Sequence, residues 1–461
     1  MKVATDLHRS LGFWSGTALV VGTVIGGGIF RTPASIALVI QEPLGILGLW
    51  VFFGLVCTCG ALVLAELAIM MPQTGGTYVY LRAAYGDAAA FVFGWLYLLA
   101  AIPSGMAALS VFFAELVLEM GGAPPGMIAW GIPFIAASAI TFLSLANIAG
   151  VKSGASITNV FTIVKLAALF VFVLGAFILG QGDVTRWWIA PTGADTPSNL
   201  AAAAKSVIYT CNGWIYVSFV AGELKEPERR LGRIIVAGTG TVMVVYVIVN
   251  LAYLYLIPLP QMAGTVVARE GMRLIAGSLG ATIMSACILA SIFGALNGVI
   301  LTKARVAYAM ARDGLTFSFL GRAHPTRATP YVSIAIQGAV AIALIFILRD
   351  AQNPRRLFDR LTAYFVMVEW LALLFAIAAV FVLRRKQPTT PRPYKTPGYP
   401  FIPLFFIGGT LAGLGAIIWS SCSAGDYSPL AGIAIVIAGF PVYWIWRRIK
   451  SRELSIDAPI R

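Results

Sequence analysis

The chain has 461 residues, 59% of them hydrophobic and 11% charged, with a mean hydropathy of +0.86. Soluble domains carry about 25% charged residues, so this composition excludes a soluble globular protein and points to a chain embedded in the lipid bilayer. The net charge of +14 does not indicate nucleic acid, because no basic tract is interleaved with aromatics on a soluble segment; it fits loop charge that orients membrane spans.

Apolar runs of bilayer length recur along the whole chain. They predict twelve helical spans near 13–39, 45–71, 87–118, 127–147, 155–179, 199–221, 234–257, 276–311, 330–348, 359–383, 401–420 and 427–446. No short apolar leader with a small-residue cleavage site precedes the first span, so that span is expected to be retained. The third and eighth runs exceed the length needed to cross and must tilt or project. An even number of spans puts both ends on one side, and the larger share of the Lys and Arg residues falls there, in the clusters Lys225 to Arg233, Lys303 to Arg327, Arg384 to Lys395 and Arg447 to Arg452. The positive-inside rule then predicts cytoplasmic termini in a cell-membrane protein.

The first span contains Thr23-Val24-Ile25-Gly26-Gly27-Gly28-Ile29-Phe30. Three consecutive glycines weaken a helix where lipid demands an intact hydrogen-bond ladder. Such a break is tolerated only against protein or a polar cavity, where it offers backbone N–H and C=O groups to a ligand; close packing between helices is the structural alternative. After the second span, Met71 to Tyr78 reads as a turn leading into a short amphipathic piece with Arg82. Lys165 lies about ten residues into the fifth span, too deep for a terminal loop charge, with snorkelling to the interface as its structural alternative. The outer connection from Gly180 to Asn199, with Trp187 and Trp188, and that from Pro258 to Gly277 suggest interface-anchored structure.

The sixth span carries Tyr209-Thr210-Cys211-Asn212-Gly213-Trp214, an Asn-Gly turn-former at mid-membrane depth. The first and sixth spans open two successive sets of five, and weak points at corresponding places in two halves are the sequence pointer to an inverted-repeat transporter with its site at the midplane. The expected organisation is one transmembrane domain over 1–461, with repeats at 13–180 and 199–383 and two further helices in 401–446. The half-helix starting at Gly26, Gly27 and Gly28 favours a carboxylate, while carbonyls of Thr23, Val24 and Ile25 and of Ile208 to Cys211 favour an ammonium. A zwitterion fits both. Side chains of Thr23, Tyr209, Cys211, Asn212, Trp214 and Ser285 are the candidates for the rest of the pocket, and the lack of an evident Asp or Glu among them argues for neutral substrates. The connector from Arg384 to Pro400 reads as solvated and semi-extended. His8 and His324 lie in loops, and Cys57 and Cys59 sit two apart inside a helix with no partner cluster, so neither a metal site, a cofactor nor an enzymatic centre is expected.

Taken together, Val24 to Phe30 through Pro33, Ala65-Glu66-Leu67 through Tyr80, Gly213-Trp214 through Arg229, Arg312-Asp313-Gly314, Thr329-Pro330 and Arg392-Pro393-Tyr394 through Pro400 resemble the amino acid-polyamine-organocation superfamily, nearest the L-type amino acid transporter family and its prokaryotic relatives. The resemblance covers all twelve spans. It implies an all-α polytopic membrane protein with the five-plus-five inverted-repeat fold, helices 1 and 6 broken, that transports amino acids by alternating access. It also implies an aromatic gate at Tyr209 and a fifth-span lysine, Lys165, that does the work of the cation in sodium-coupled relatives by joining carbonyls near Val21 to Thr23 to Ser285 or Ser291. Family members often have Gly-Ser-Gly where this chain has Gly26-Gly27-Gly28, Gly-Gly-Trp where it has Asn212-Gly213-Trp214, and Glu-Glu where it has Gly222-Glu223. Animal members join a single-span glycoprotein through a cysteine between spans three and four; the segment from Glu119 to Pro125 has none, so no such subunit is expected, and the chain should be a monomer or weak homo-oligomer. The function implied is sodium-independent exchange of neutral L-amino acids. Proton-coupled uptake is the alternative, and a non-transporting sensor or structural membrane protein is the alternative of another class.

Overall fold

The computed structural model describes residues 7, 9–188, 196–350, 356–423, 425 and 427–456; His8 lies outside them. The first predicted span is two half-helices, α1 (Phe13–Val24) and α2 (Gly28–Ala37), separated at the glycine tract. Next come α3 (Pro43–Met70), the short α4 (Thr77–Tyr85), α5 (Asp87–Met120), α6 (Pro125–Ile148) and α7 (Val151–Ile178). The sixth span is broken into α8 (Pro197–Thr210) and α9 (Tyr216–Phe219). It is followed by α10 (Pro227–Leu256), α11 (Val267–Arg312), α12 (Tyr331–Ile347), α13 (Arg356–Lys386), α14 (Phe401–Ser423) and α15 (Ser428–Ile456). Among the described residues ten helical segments, α1 and α2 together counted as one, are long and apolar enough to cross a membrane, and α12 is a shorter apolar one. With the broken sixth span these account for the twelve predicted spans.

The two over-long runs have separate causes. In α5, a π-turn at Tyr97–Ala101 precedes Pro103, whose missing N–H removes a rung of the ladder. In α11, Ala276 and Gly277 leave helical geometry at the start of the expected run, which sets a preceding helix off from it, and the helix after the kink continues to Arg312, so the eighth run is long as expected. The spans alternate in direction, so the connections after α2, α5, α7, α10, α12 and α14 lie on one face, and both chain ends lie on the other, the terminal face.

Helix faces follow the sequence period. In α7 the buried residues Thr158, Thr162, Lys165, Leu169, Phe172 and Ala176 recur every three or four positions, while Ile163, Phe170 and Ile178 are exposed. That stripe carries Lys165 into the protein, whereas snorkelling would turn it toward a membrane surface.

Two expectations about charged segments are corrected. Lys303 and Arg305, assigned to a loop cluster, are wholly buried in α11 and paired with Glu369 and Glu223. Their charge serves inside the protein, because an unpaired cation at that depth is too costly. The connector from Arg384 to Pro400 is docked: Glu66 of α3 accepts from Arg384 Nη2 at 2.6 Å and from the Thr396 amide and hydroxyl at 2.7 Å each, and Arg392 donates to Leu383 and Gln387 carbonyls.

Candidate functional site

The two helix breaks meet. Gly213 has φ +111°, a conformation that favours glycine, and an added Cβ would stand 3.1 Å from the carbonyl carbon and oxygen of Thr23. The Thr23 hydroxyl, closest to Leu19 O at 2.7 Å, also stands 3.3 Å from Gly213 O, and the single hydroxyl proton of Tyr246 in α10 is shared between Val24 O (2.7 Å) and Thr210 O (3.2 Å), which sets one residue against both breaks. Across the break, Thr32 and Thr210 share a hydroxyl hydrogen bond of 2.7 Å.

Beside these contacts lies a cavity of about 40 Å³ lined by Thr23, Val24, Gly26, Gly27, Gly28, Gly105, Leu109, Tyr209, Thr210, Asn212, Tyr216, Val299 and Phe365. The amides of Gly28 and Ile29, which open α2, precede any i−4 carbonyl of their own helix, while that of Phe30 is taken by Gly27 O, so the positive end of α2 lies at the glycine tract that lines the space. Asn212 accepts from the Tyr216 hydroxyl at 3.0 Å, while its Nδ2 is buried with no partner and stands in the cavity lining. This donor is left for a ligand.

Not every candidate converges here. Ser285 lies six residues up α11 from Ser291, donates to Ala281 O and is outside the lining; helical rise puts it about 9 Å too far along. Trp214 is buried on the back of the sixth-span break, edge-on to Phe406 of α14 at 6.2 Å, and the Cys211 carbonyl points to the Cys57 thiol at 3.6 Å. Both pack the break against α3 and α14. The carbonyls expected to be free are also mostly engaged: Val24 O and Thr210 O by Tyr246, and Ile25 O by Lys165 and Ser291. An ammonium therefore has fewer backbone acceptors than the sequence suggests.

Lys165 is wholly buried behind the first break. Its Nζ donates to Gly22 O (2.8 Å) and Ile25 O (2.5 Å) of the first span and to Ser291 O (3.0 Å) of α11, and the Ser291 hydroxyl donates to Ile25 O and Gly26 O at 3.2 and 3.1 Å. Three carbonyls take all three N–H groups of an ammonium.

The cavity is closed unequally. Toward the face opposite the termini stands one layer, in which Tyr209 meets Phe358 and Phe365 edge-on at 5.6 and 5.9 Å. Arg31 lies over the rings of Phe358 and Phe112 and pairs with Glu115. Beyond this layer a vestibule of about 560 Å³ includes Arg31, Phe112, Glu115, Arg269 and Asp359 in its lining. Toward the terminal face the closure is deeper. Arg305 grips both oxygens of Glu223 at 2.8 and 3.0 Å, and Glu223 O accepts from the Ser10 and Leu11 amides, which pin the N-terminal segment across the sixth span.

Comparison with known proteins rests on nearly the whole chain. A family profile described as amino acid permease matches residues 11–446. The chain belongs to the amino acid permease family. Within it, the serine/threonine exchanger SteT of Bacillus subtilis is 31% identical over 449 residues, 96% of this chain and 98% of that protein. The b(0,+)-type amino acid transporter 1 of Mus musculus is 29% identical over 96% of this chain and 88% of its own. The large neutral amino acids transporter small subunit 2 of Oryctolagus cuniculus is 29% identical over 95% and 80%. The all-helical, multi-span architecture and the broken first and sixth helices agree with membership in this permease family.

Sequence reading missed Tyr246, the Arg31–Glu115 pair and the Lys303–Glu369 pair. Tyr246 has no local signature. The ion pairs had one, since an ionisable residue within a span is a functional candidate by default, but Lys303 was grouped with the loop charges that follow it.

Proposed function

We propose that this permease exchanges small neutral L-amino acids across the cell membrane by alternating access, without sodium. Its termini are cytoplasmic, so the vestibule faces outward and the deep closure faces the cytoplasm. The substrate carboxylate binds at the Gly26-Gly27-Gly28 tract through the Gly27 and Gly28 amides, the Gly26 amide being held by Val24 O; its ammonium binds Thr23 O and the remaining carbonyls of the breaks, and its side chain lies among Leu109, Tyr209, Asn212, Val299 and Phe365. Tyr209 is the outer gate. The repeats 13–180 and 199–383 move against each other around the breaks, and the present arrangement is outward-facing with the thin gate shut. A cavity of about 40 Å³ holds a few waters at about 10–15 Å³ each, so admitting a substrate requires the Tyr209 layer to swing away.

The observation that carries the reading is Lys165. An ammonium spending three donors on Gly22, Ile25 and Ser291 carbonyls ties the first span to α11 with a fixed charge, which removes the need for a sodium ion there. Three carbonyl acceptors around one Nζ suit an ammonium at this place. The serine/threonine exchanger among the relatives supports exchange as the mode. The test uses vesicles preloaded with unlabelled L-serine in choline buffer with no pH gradient. Uptake of labelled L-serine should be stimulated by the preload and should need no inward proton gradient. A strict need for sodium or for an inward proton gradient overturns the proposal.

A further inference from the structure

The cavity wall has a second layer. Tyr216 and Phe365 line the cavity, and behind them the Lys303 ammonium stands 4.4 Å from the Tyr216 ring centre and 5.0 Å from those of Phe365 and Tyr97. It donates to Glu369 Oε2 at 2.9 Å, and both side chains are wholly buried. The other carboxylate oxygen, Oε1, is buried as well, and the Tyr97 hydroxyl is the polar group beside the carboxylate.

Stability does not account for this pair, because apolar replacements of a buried ion pair are often neutral or better. It stands apart from the Glu223–Arg305 lock on the terminal face and touches neither break carbonyls nor Lys165. What Glu369 and the three rings make is a cation subsite: a buried carboxylate with aromatic faces around it, the arrangement that holds an ammonium out of water. Its occupant is a lysine of the protein itself. A substrate whose backbone groups sit at the helix breaks puts its side chain against Phe365, one ring short of this subsite.

We propose that Lys303 and Glu369 are specificity-determining residues that fill, from the protein's side, the place a charged substrate side chain would take, and so restrict transport to uncharged side chains. A cationic side chain meets Lys303 and an anionic one meets Glu369, while a short neutral one stops at the ring wall. The inference rests on the reading that the cavity holds an amino acid.

Removing one partner frees the other, so the charge preference should invert in opposite directions. Uptake of labelled L-lysine, L-glutamate and L-serine is compared in vesicles holding wild type, Lys303→Ala or Glu369→Ala. The lysine-to-serine ratio should rise at least about tenfold in Lys303→Ala, and the glutamate-to-serine ratio by a similar factor in Glu369→Ala, since like-charge repulsion exceeds one decade in a desolvated site. The double variant Lys303→Ala/Glu369→Gln should show neither rise. Absent L-serine flux in the wild type counts against the transport reading itself. Wild-type L-serine flux with ratios unchanged in both single variants overturns only the specificity role, as does failure of both variants to fold, which assigns the pair to folding alone.

Discussion

Lys165 does its work through direction as much as charge. Its three donors reach two turns of the first span and one of α11, so removing the side chain leaves three carbonyls facing a void where water has little access. A hydrogen bond to a charged group contributes about 1.5–3 kcal/mol, and losing even one should lower the occupancy of the closed site by an order of magnitude or more. Lys165→Ala is therefore expected to cut sodium-free exchange by at least about tenfold while the purified protein still elutes as folded material; parental exchange in choline buffer would show that the bridge is dispensable. The glycines differ among themselves. A Cβ at Gly28 would meet the Thr210 side chain at 2.5 to 2.9 Å, and Thr210 is pinned by Thr32 and Ser206, whereas a Cβ at Gly26 meets Ala295 and Leu109 at 3.3 and 3.5 Å. Gly28→Val should weaken L-serine binding at least about tenfold, or 1.4 kcal/mol, and Gly26→Ala only a few fold. Equal affinities by equilibrium binding would mean that the glycine tract serves helix packing and that the carboxylate lies elsewhere.

At the scale of elements, the two breaks are a single construction. α2 begins and α8 ends at a break, and the two breaks cover each other's backbone: Thr23 reaches Gly213 O, and Tyr246 lies between Val24 O and Thr210 O. Gly213 is the contact point, at φ +111° with the Thr23 carbonyl 3.1 Å from where a Cβ would stand. The clash is with backbone, so no rotamer relieves it, and the left-handed conformation adds about 1–3 kcal/mol for any other residue. Gly213→Ala is expected to lower the thermal unfolding midpoint in detergent and to depress exchange more than surface expression. An unchanged midpoint with normal exchange would show that the breaks can separate freely.

Across the whole molecule the asymmetry of closure sets the state. One aromatic layer around Tyr209 stands between the cavity and the vestibule, while the terminal face is closed by the Glu223–Arg305 pair and the N-terminal segment bound to Glu223 O. Breaking a buried pair by removing one partner costs about 3–5 kcal/mol, and here that cost falls on the conformation in which the pair is formed. Glu223→Gln should thus shift the population toward opening at the terminal face. In a background without the five native cysteines, a cysteine placed at the buried Ser218 should react faster with an impermeant thiol reagent applied from the terminal side. Identical labelling rates with and without Glu223→Gln would remove the pair from the gating account.

The spans, the breaks and the inward face of α7 were legible in the residues alone, because each depends on local composition or on a period of 3.6, which lipid enforces on every segment that crosses it. Gly26-Gly27-Gly28 and Asn212-Gly213 announce interruptions wherever they are folded, and Lys165 announces an internal partner because a lone charge at that depth is otherwise too costly. What only the tertiary structure decided is which groups those features meet. Ser285 and Ser291 are equally polar on one helix, yet a rise of about 9 Å between them puts Ser291 at Lys165 and leaves Ser285 outside the cavity. Trp214 and Cys211 adjoin the break but face α3 and α14, since a break can turn its two sides to different neighbours. Lys303 is next in sequence to a run of loop charges and belongs instead to Glu369, 66 positions away. Such pairings depend on how helices distant in sequence are brought together, and no local period encodes that.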